Sequence, residues 1–221
     1  QGTEPIRGFG AVAGVYEEAC QIVVRADSEI STVEELEGHR VSVGEEESGT
    51  KQNALQILAA YGLNEKLVEE VSLNYTEAAK ELENGSIDAF FCTAGAQTAA
   101  IANLAQRTGI RFLNVDGAAA ARLKKSYPVY DSCIIAAGTY PGQEEDVSTV
   151  GVKAVLLASD SVSAEVVEEL TALLFEEQQE LDFALPVELI TEADAAADGL
   201  PVPFHKGAER YYESRGEKSE N

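Results

Sequence analysis

Apolar and polar positions along the chain change period repeatedly, and each change marks a predicted element. "AVAGVYEEACQIVVRADS" (11–28) is apolar and β-branched toward its end and reads as extended structure. "STVEELEGHR" places Ser31 three positions before Glu34 and ends at Gly38, the pattern of a capped short helix. "RVSVG" (40–44) reads as a short buried strand. Ala54, Leu55, Leu58, Ala59 and Leu63 share one helical face, so a helix is predicted over 49–61, ended by Gly62.

The alternation continues. Strand "EVSLNY" (70–75) precedes helix "TEAAKELENG", with Thr76 as cap and Gly85 as stop. Strand "IDAFFC" (87–92) runs into "TAGAQTAAIANLAQRTG", a small-residue turn and a helix. Strand "IRFLNV" (110–115) precedes helix "GAAAARLKKSY". Short connections between alternating strands and helices predict a parallel sheet over a middle lobe of about 39–128. Residues 1–38 and 129–221 form a discontinuous second lobe, with strands at 131–138 and 148–159. It also carries a helix over about 163–182 and a short helix near 206–214. Strands near 15–20 and 131–140 are the expected crossings between the lobes. So few βα units make that outer lobe look incomplete.

"GEEESGTKQNALQIL" (44–58) carries the chemistry. A strand ending in glycine and turning into a helix leaves N–H groups aimed at one spot, with a partial positive charge of roughly half a unit. Ser48 and Thr50 add hydroxyls, and Gly49 admits a close approach. "FFCTAGAQT" repeats the arrangement with Thr93, Ala94 and Gly95. Two such turns on one crevice make a clamp for a small carboxylate. The plainer reading is that Ser48 caps its helix and Gly95 eases a turn. A phosphate loop is disfavoured because Lys51 follows Thr50 instead of preceding it. Glu45, Glu46 and Glu47 have two readings: they favour the helix dipole, or they meet the ammonium of a zwitterionic ligand.

Charge and cysteines change the picture modestly. The 221 residues are 45% apolar, enough for a packed core, and the net charge is −23. Nucleic acid and anionic membranes would repel such a body. The acidity reads as solubility or as adaptation to salt. No run of 18 apolar residues suits a spanning helix. The chain opens at Gln1 and lacks Met, which fits a removed leader or an excised piece. Cys20, Cys92 and Cys133 lack metal spacing, and neither a metal nor a cofactor is expected. Cys20 and Cys133 can bridge if their strands are neighbours; otherwise they are buried thiols. Cys92 is the one nucleophile near a strand end, but neither His39 nor His205 stands beside it, so no catalytic residues are expected.

The motifs S-G-T-x-x-N (48–53), F-F-x-T-A-G (90–95) and A-G-T-Y-P-G-Q (137–143), with "DGLPVPFHKGAERYY", closely resemble the TAXI-type solute receptors of TRAP transporters. The resemblance runs nearly end to end. It implies an α/β, bilobal, type II periplasmic-binding fold with parallel or mixed sheets and flanking helices. It further implies an extracytoplasmic protein that holds a glutamate-like amino acid or dicarboxylate and presents it to a membrane permease. Carried over by motif, the ligand contacts are Tyr16, Ser48, Gly49, Thr50, Asn53, Thr93, Ala94, Gly95 and, more weakly, Tyr140. Two departures stand out. A small residue, proline and glycine are usual where this chain has Glu45, Glu46 and Glu47, and family members carry roughly eighty more residues ahead of "IRGFGAVAGVY". From another class, a ligand-sensing effector domain shares the bilobal fold; it would be expected to carry a basic DNA-binding segment.

Overall fold

The computed structural model describes residues 7–176 and 189–219. The last turns of the predicted 163–182 helix and the break at Pro186 lie outside the described residues. Contacts divide the chain into Glu18–Val152 and a second unit of Gln1–Glu17 with Lys153–Asn221. The first takes in the 39–128 alternation together with 18–38 and 129–152.

Within Glu18–Val152 the expected alternation forms. Strand β1 (Phe9–Arg25) enters it at residue 18, and β2 (Arg40–Ser42), α1 (Gly49–Ala60) and β3 (Glu69–Val71) follow. Next come α2 (Tyr75–Glu83), β4 (Ala89–Ala94), α3 (Ala99–Arg107), β5 (Ile110–Phe112), α4 (Gly117–Ser126) and β6 (Asp131–Ile135). Strand β7 (Val147–Ser159) leaves it at residue 152. The strand order is β3-β2-β4-β1-β7-β6, with β5 also pairing β1. β2 is parallel to both β3 and β4, as the alternation predicts. β1 is antiparallel to β4 and β5, so the sheet is mixed.

Period-two alternation along β1 fixes the layers. Cys20, Ile22 and Val24 face one apolar cluster with Ala54, Ile57 and Leu58 of α1 and Ala120 and Leu123 of α4. Ala19 and Val23 face another, with Ala78, Ala79 and Leu82 of α2 and Ile101 and Leu104 of α3. Both faces of the sheet are therefore covered by helices, which is why these strands read as continuous apolar runs. The apolar face of α1 centres on Thr50, Ala54, Ile57 and Leu58. Ala59, placed on that face by spacing, is exposed.

Two local expectations need correction. The Ser31 box yields only a 3-10 turn, Glu34–Leu36, and Glu35 rather than Glu34 reaches back, accepting from the Ser31 and Thr32 amides. Buried Val33 and Leu36 are spaced three apart, which suits a 3-10 turn better than an α-helix. The cap of α2 is Asn74, not Thr76: its side chain takes the Glu77 amide while Glu77 returns a carboxylate to the Asn74 amide.

The other unit contains the first half of β1, the end of β7, α5 (Ala164–Glu176), α6 (Ala193–Ala197) and α7 (Lys206–Ser219). Ala11 bridges Phe204, and Val12, Val167 and Ala208 form a small core.

Candidate functional site

Parallel strands β3-β2-β4 bring three strand-to-helix junctions to one end of the sheet. At the first, Gly44 holds φ +98°, and a Cβ there would lie 2.9 Å from the Thr50 Cβ. Glu47 also sits in left-handed backbone, at φ 62°. This turn delivers Ser48 in extended backbone as the N-cap of α1, where its Oγ accepts from the Lys51 amide at 3.1 Å. The cap leaves the amides of Gly49 and Thr50, which have no carbonyl four residues back in the helix. No atom lies within 4 Å of a Cβ built on Gly49, so open space faces it.

The three glutamates point elsewhere. Glu46 takes the Lys51 ammonium at 2.6 Å and the Ser72 hydroxyl at 2.8 Å. The Lys51 bond, with Ser72 helping, holds the Glu46 carboxyl below its ordinary range. Glu46 is largely exposed although the Lys51 side chain is mostly covered, so solvent screens the pair and it adds little stability. Its consequence is positional: the cation nearest the α1 N-terminus is tied to Glu46. None of the three glutamates lines the cavity that opens at these junctions.

That cavity has a volume of about 390 Å³. Ser48, Gly49, Thr50 and Asn53 line it from α1, Tyr75 from α2, Thr93 from β4 and Glu18 from β1, with Val129 and Val152 as apolar wall. Its floor is a closed ring of hydrogen bonds. The Thr93 amide donates to Thr50 Oγ1 at 3.4 Å, Thr50 Oγ1 meets the Tyr75 hydroxyl at 2.5 Å, and that hydroxyl donates to the Thr93 carbonyl at 2.9 Å. With the Thr50 hydroxyl donating to Tyr75, each hydrogen in the ring serves one acceptor. Asn53 joins by donating to Thr93 Oγ1 at 3.2 Å, and its own carbonyl accepts from the Tyr130 hydroxyl at 2.9 Å. The polar side chains are thus pre-set, and the α1 amides remain for a guest.

Burial raises the Tyr75 phenol, and the charge of Glu18 adds to the rise. Tyr75→Phe opens the ring, leaving the Thr50 hydroxyl and the Thr93 carbonyl without this partner. The expected cost is about 1–2 kcal/mol, read as a lower urea midpoint at unchanged slope.

Of the residues expected at the site, Ser48, Gly49, Thr50, Asn53 and Thr93 meet at this cavity. Ala94, Gly95 and Tyr140 do not. The Gly95 carbonyl accepts from Thr98 Oγ1 at 2.9 Å, closing the turn into α3, and Ala94 pairs with Ala19 in the sheet. Tyr140 is 2% exposed and stacks on Phe112. Its hydroxyl accepts from the Thr98 amide at 3.1 Å and donates to Gln21 at 2.6 Å. The amide of Thr98, the N-cap of α3, is therefore already taken. Tyr16 belongs to the other unit, where it bridges Leu189.

Tyr75 and Glu18 were not among the expected residues. A signal existed for Glu18, since "YEE" interrupts an otherwise apolar strand. Tyr75 becomes a site residue only through the order β3-β2-β4, which spacing alone does not give. The cysteines form no disulfide. β7 lies between β1 and β6, so Cys20 and Cys133 are two strands apart, beyond bridging distance. Burial, with a smaller contribution from Glu18, pushes the Cys92 thiol up to about 12, so almost no thiolate exists at neutral pH.

The sequence model of the NMT1-like family matches residues 1–216. The chain belongs to the NMT1-like family. Among solved structures, a TctC solute-binding protein from Polaromonas is 16% identical, with a TM-score of 0.55 over 97% of this chain and 72% of that one. The periplasmic aliphatic sulphonate-binding protein SsuA from Escherichia coli is 18% identical, with a TM-score of 0.47 over 94% of this chain and 65% of its own. An ancestral arginine-binding protein bound to glutamine is 17% identical, with a TM-score of 0.40 over 91% and 63%. The likeness to the TctC protein gives this NMT1-like chain the α/β fold, a mixed sheet with flanking helices, of that solute-binding protein. The chain spans 65% and 63% of the length of the last two proteins.

Proposed function

We propose that this chain is the solute-binding component of a TRAP-type transporter. It works outside the cytoplasm, holds a small carboxylate such as glutamate or a dicarboxylate, and hands it unchanged to a membrane permease. The observation that carries the reading is the convergence of Ser48, Gly49, Thr50, Asn53 and Thr93 on one cavity. In this reading the Gly49 and Thr50 amides take the ligand carboxylate, aided by the α1 dipole. Thr93 and Asn53 set its orientation. Membership of the NMT1-like family and the motifs shared with TAXI-type receptors support it. The ring-bonded Thr50 and the protonated Cys92 thiol fit binding rather than catalysis.

Gly49→Ala separates binding from folding. The added Cβ meets nothing, so stability should hold or rise by up to about 1 kcal/mol. The methyl crowds the carboxylate seat, so calorimetry should show affinity for the tightest-binding acid of a glutamate, glutarate and 2-oxoglutarate panel falling about tenfold or more. Unchanged affinity in a folded Gly49→Ala chain, or no binding of any acid to the wild type, contradicts the proposal.

A further inference from the structure

Beyond Gly151, β7 is an open sheet edge. β6 pairs only residues 147–151, and among the described residues no strand pairs the side of 153–159 that faces away from β1. This half-strand reads "KAVLLAS", without an acid or a proline. Its one charge, the Lys153 ammonium, is held by the carbonyls of Ala195 and Asp198 at 3.1 and 2.7 Å. An edge with neither charge nor proline to blunt it is one that proteins cover.

Helix α5 lies over this edge, with Val167 in the small core against Leu156 and Ala158 of β7. One flank of α5 meets α7: Gly207 packs on Ala164 and Val167, and Phe175 stacks on Tyr211 at 5.8 Å. α7 in turn stands over β1, where the Tyr212 hydroxyl donates to the Val12 carbonyl at 2.9 Å. Val166, Leu170 and Leu173 lie about half a turn round α5 from that flank, so they overhang the open side of β7. All three are exposed, Val166 by 55%, and Val162 extends the stripe by one turn. With Leu157, five of the eight exposed large apolar side chains among the described residues fall in this one region.

We infer that this edge and stripe form the interface of a two-fold dimer, with a second copy of the chain as the occupant. Shape and charge select that partner. An open strand is matched by itself run antiparallel about a two-fold axis. That operation sets α5 beside α5 on one face of the joined sheet and brings the two apolar stripes together. The chain carries a net charge of −23, so two copies repel over most of their surface. The acid-free half-strand and the apolar stripe, bordered by Glu169 on its solvent side, let them approach here. A basic partner would instead be drawn to the acidic faces. The half-strand is about 23 Å long. Two such faces bury on the order of 1,000 Å², the lower limit of a specific interface, so the dimer should be micromolar and not obligate. The inference is independent of the ligand reading.

Sedimentation equilibrium on the full chain at about 100 μM should show a monomer–dimer equilibrium that stops at two, because a two-fold contact closes on itself. Raising salt from about 0.01 to about 1 M shortens the screening length from about 30 to 3 Å and should tighten the dimer about tenfold or more. Val166→Lys and Leu157→Lys should each weaken it about tenfold or more, although each lowers the net negative charge. Ile134→Lys, 65% exposed on the other edge strand β6, should change it less than about twofold. Should Val166→Lys or Leu157→Lys fail to fold by circular dichroism, Leu173→Lys takes its place. A wild type that stays monomeric at both salt concentrations overturns the inference and leaves the surface to a different polypeptide. Growth beyond a dimer, a dimer that salt dissolves, one that a folded stripe or edge variant leaves intact, or one that Ile134→Lys abolishes also overturns it.

Discussion

Gly44→Ala should destabilise the protein by about 2–4 kcal/mol, more than Tyr75→Phe and in the opposite direction to Gly49→Ala. Two costs add. The backbone at Gly44 holds φ +98°, which an L side chain adopts only with strain. The new Cβ would also sit 2.9 Å from both Cβ and Cγ2 of Thr50 and 3.1 Å from the Lys51 amide nitrogen. These atoms belong to the first turn of α1 or are fixed directly to it, so they cannot move away as the tip of a long side chain can. Relief requires shifting the helix start, which carries Ser48, Gly49 and Thr50. The variant should therefore lose stability and binding together, whereas Gly49→Ala, five positions later, should lose binding alone. For a chain of this size the melting temperature should fall by roughly 5–15 °C. A melting temperature within about 1 °C of wild type would show that the turn does not hold Gly44 against the start of α1.

Tyr140→Phe should cost about 2–3 kcal/mol and leave ligand affinity within about twofold. The hydroxyl is buried and makes two bonds, to the Thr98 amide and to Gln21, itself 1% exposed. Phenylalanine keeps the stacking on Phe112 but strands the Gln21 carbonyl and the amide that opens α3. Buried polar groups left without a partner cost more than the bond itself was worth. Urea denaturation reads the stability and calorimetry of the folded variant reads the binding. The opposite pattern, intact stability with affinity down tenfold, would return Tyr140 to the ligand contacts.

The sequence made the middle sheet legible because its central strands β1 and β4 are largely apolar on both faces and several of its helices begin or end at strong signals. Ser48 reads as a cap and is one. The loop at 44–50 was legible for the same reason: glycine, serine, glycine and threonine at a strand-to-helix junction have few other uses. What escaped depended on neighbours distant in sequence. Thr93 and Gly95 stand two residues apart in one motif, yet only Thr93 faces the cavity. The difference arises because Thr98 and Tyr140 claim the turn that follows β4. Tyr75 enters the site because β3 lies beside β2 in parallel, and its hydroxyl then reaches both Thr50 and Thr93. The antiparallel entry of β1, which sets Glu18 against the cavity, is likewise a property of sheet order. Local pattern found the elements and the Ser48 cap but misplaced the cap of α2, and the third dimension decided which elements cooperate.

The central claim is that the amides of Gly49 and Thr50 seat the carboxylate of a small solute. Titrating the ¹⁵N-labelled full chain with the tightest-binding compound of the calorimetric panel, and following backbone amide resonances, tests it most directly. The Gly49 and Thr50 amides should shift downfield and saturate with the calorimetric affinity, as amides do on gaining a charged acceptor. Saturable binding that leaves both resonances unmoved would contradict the account.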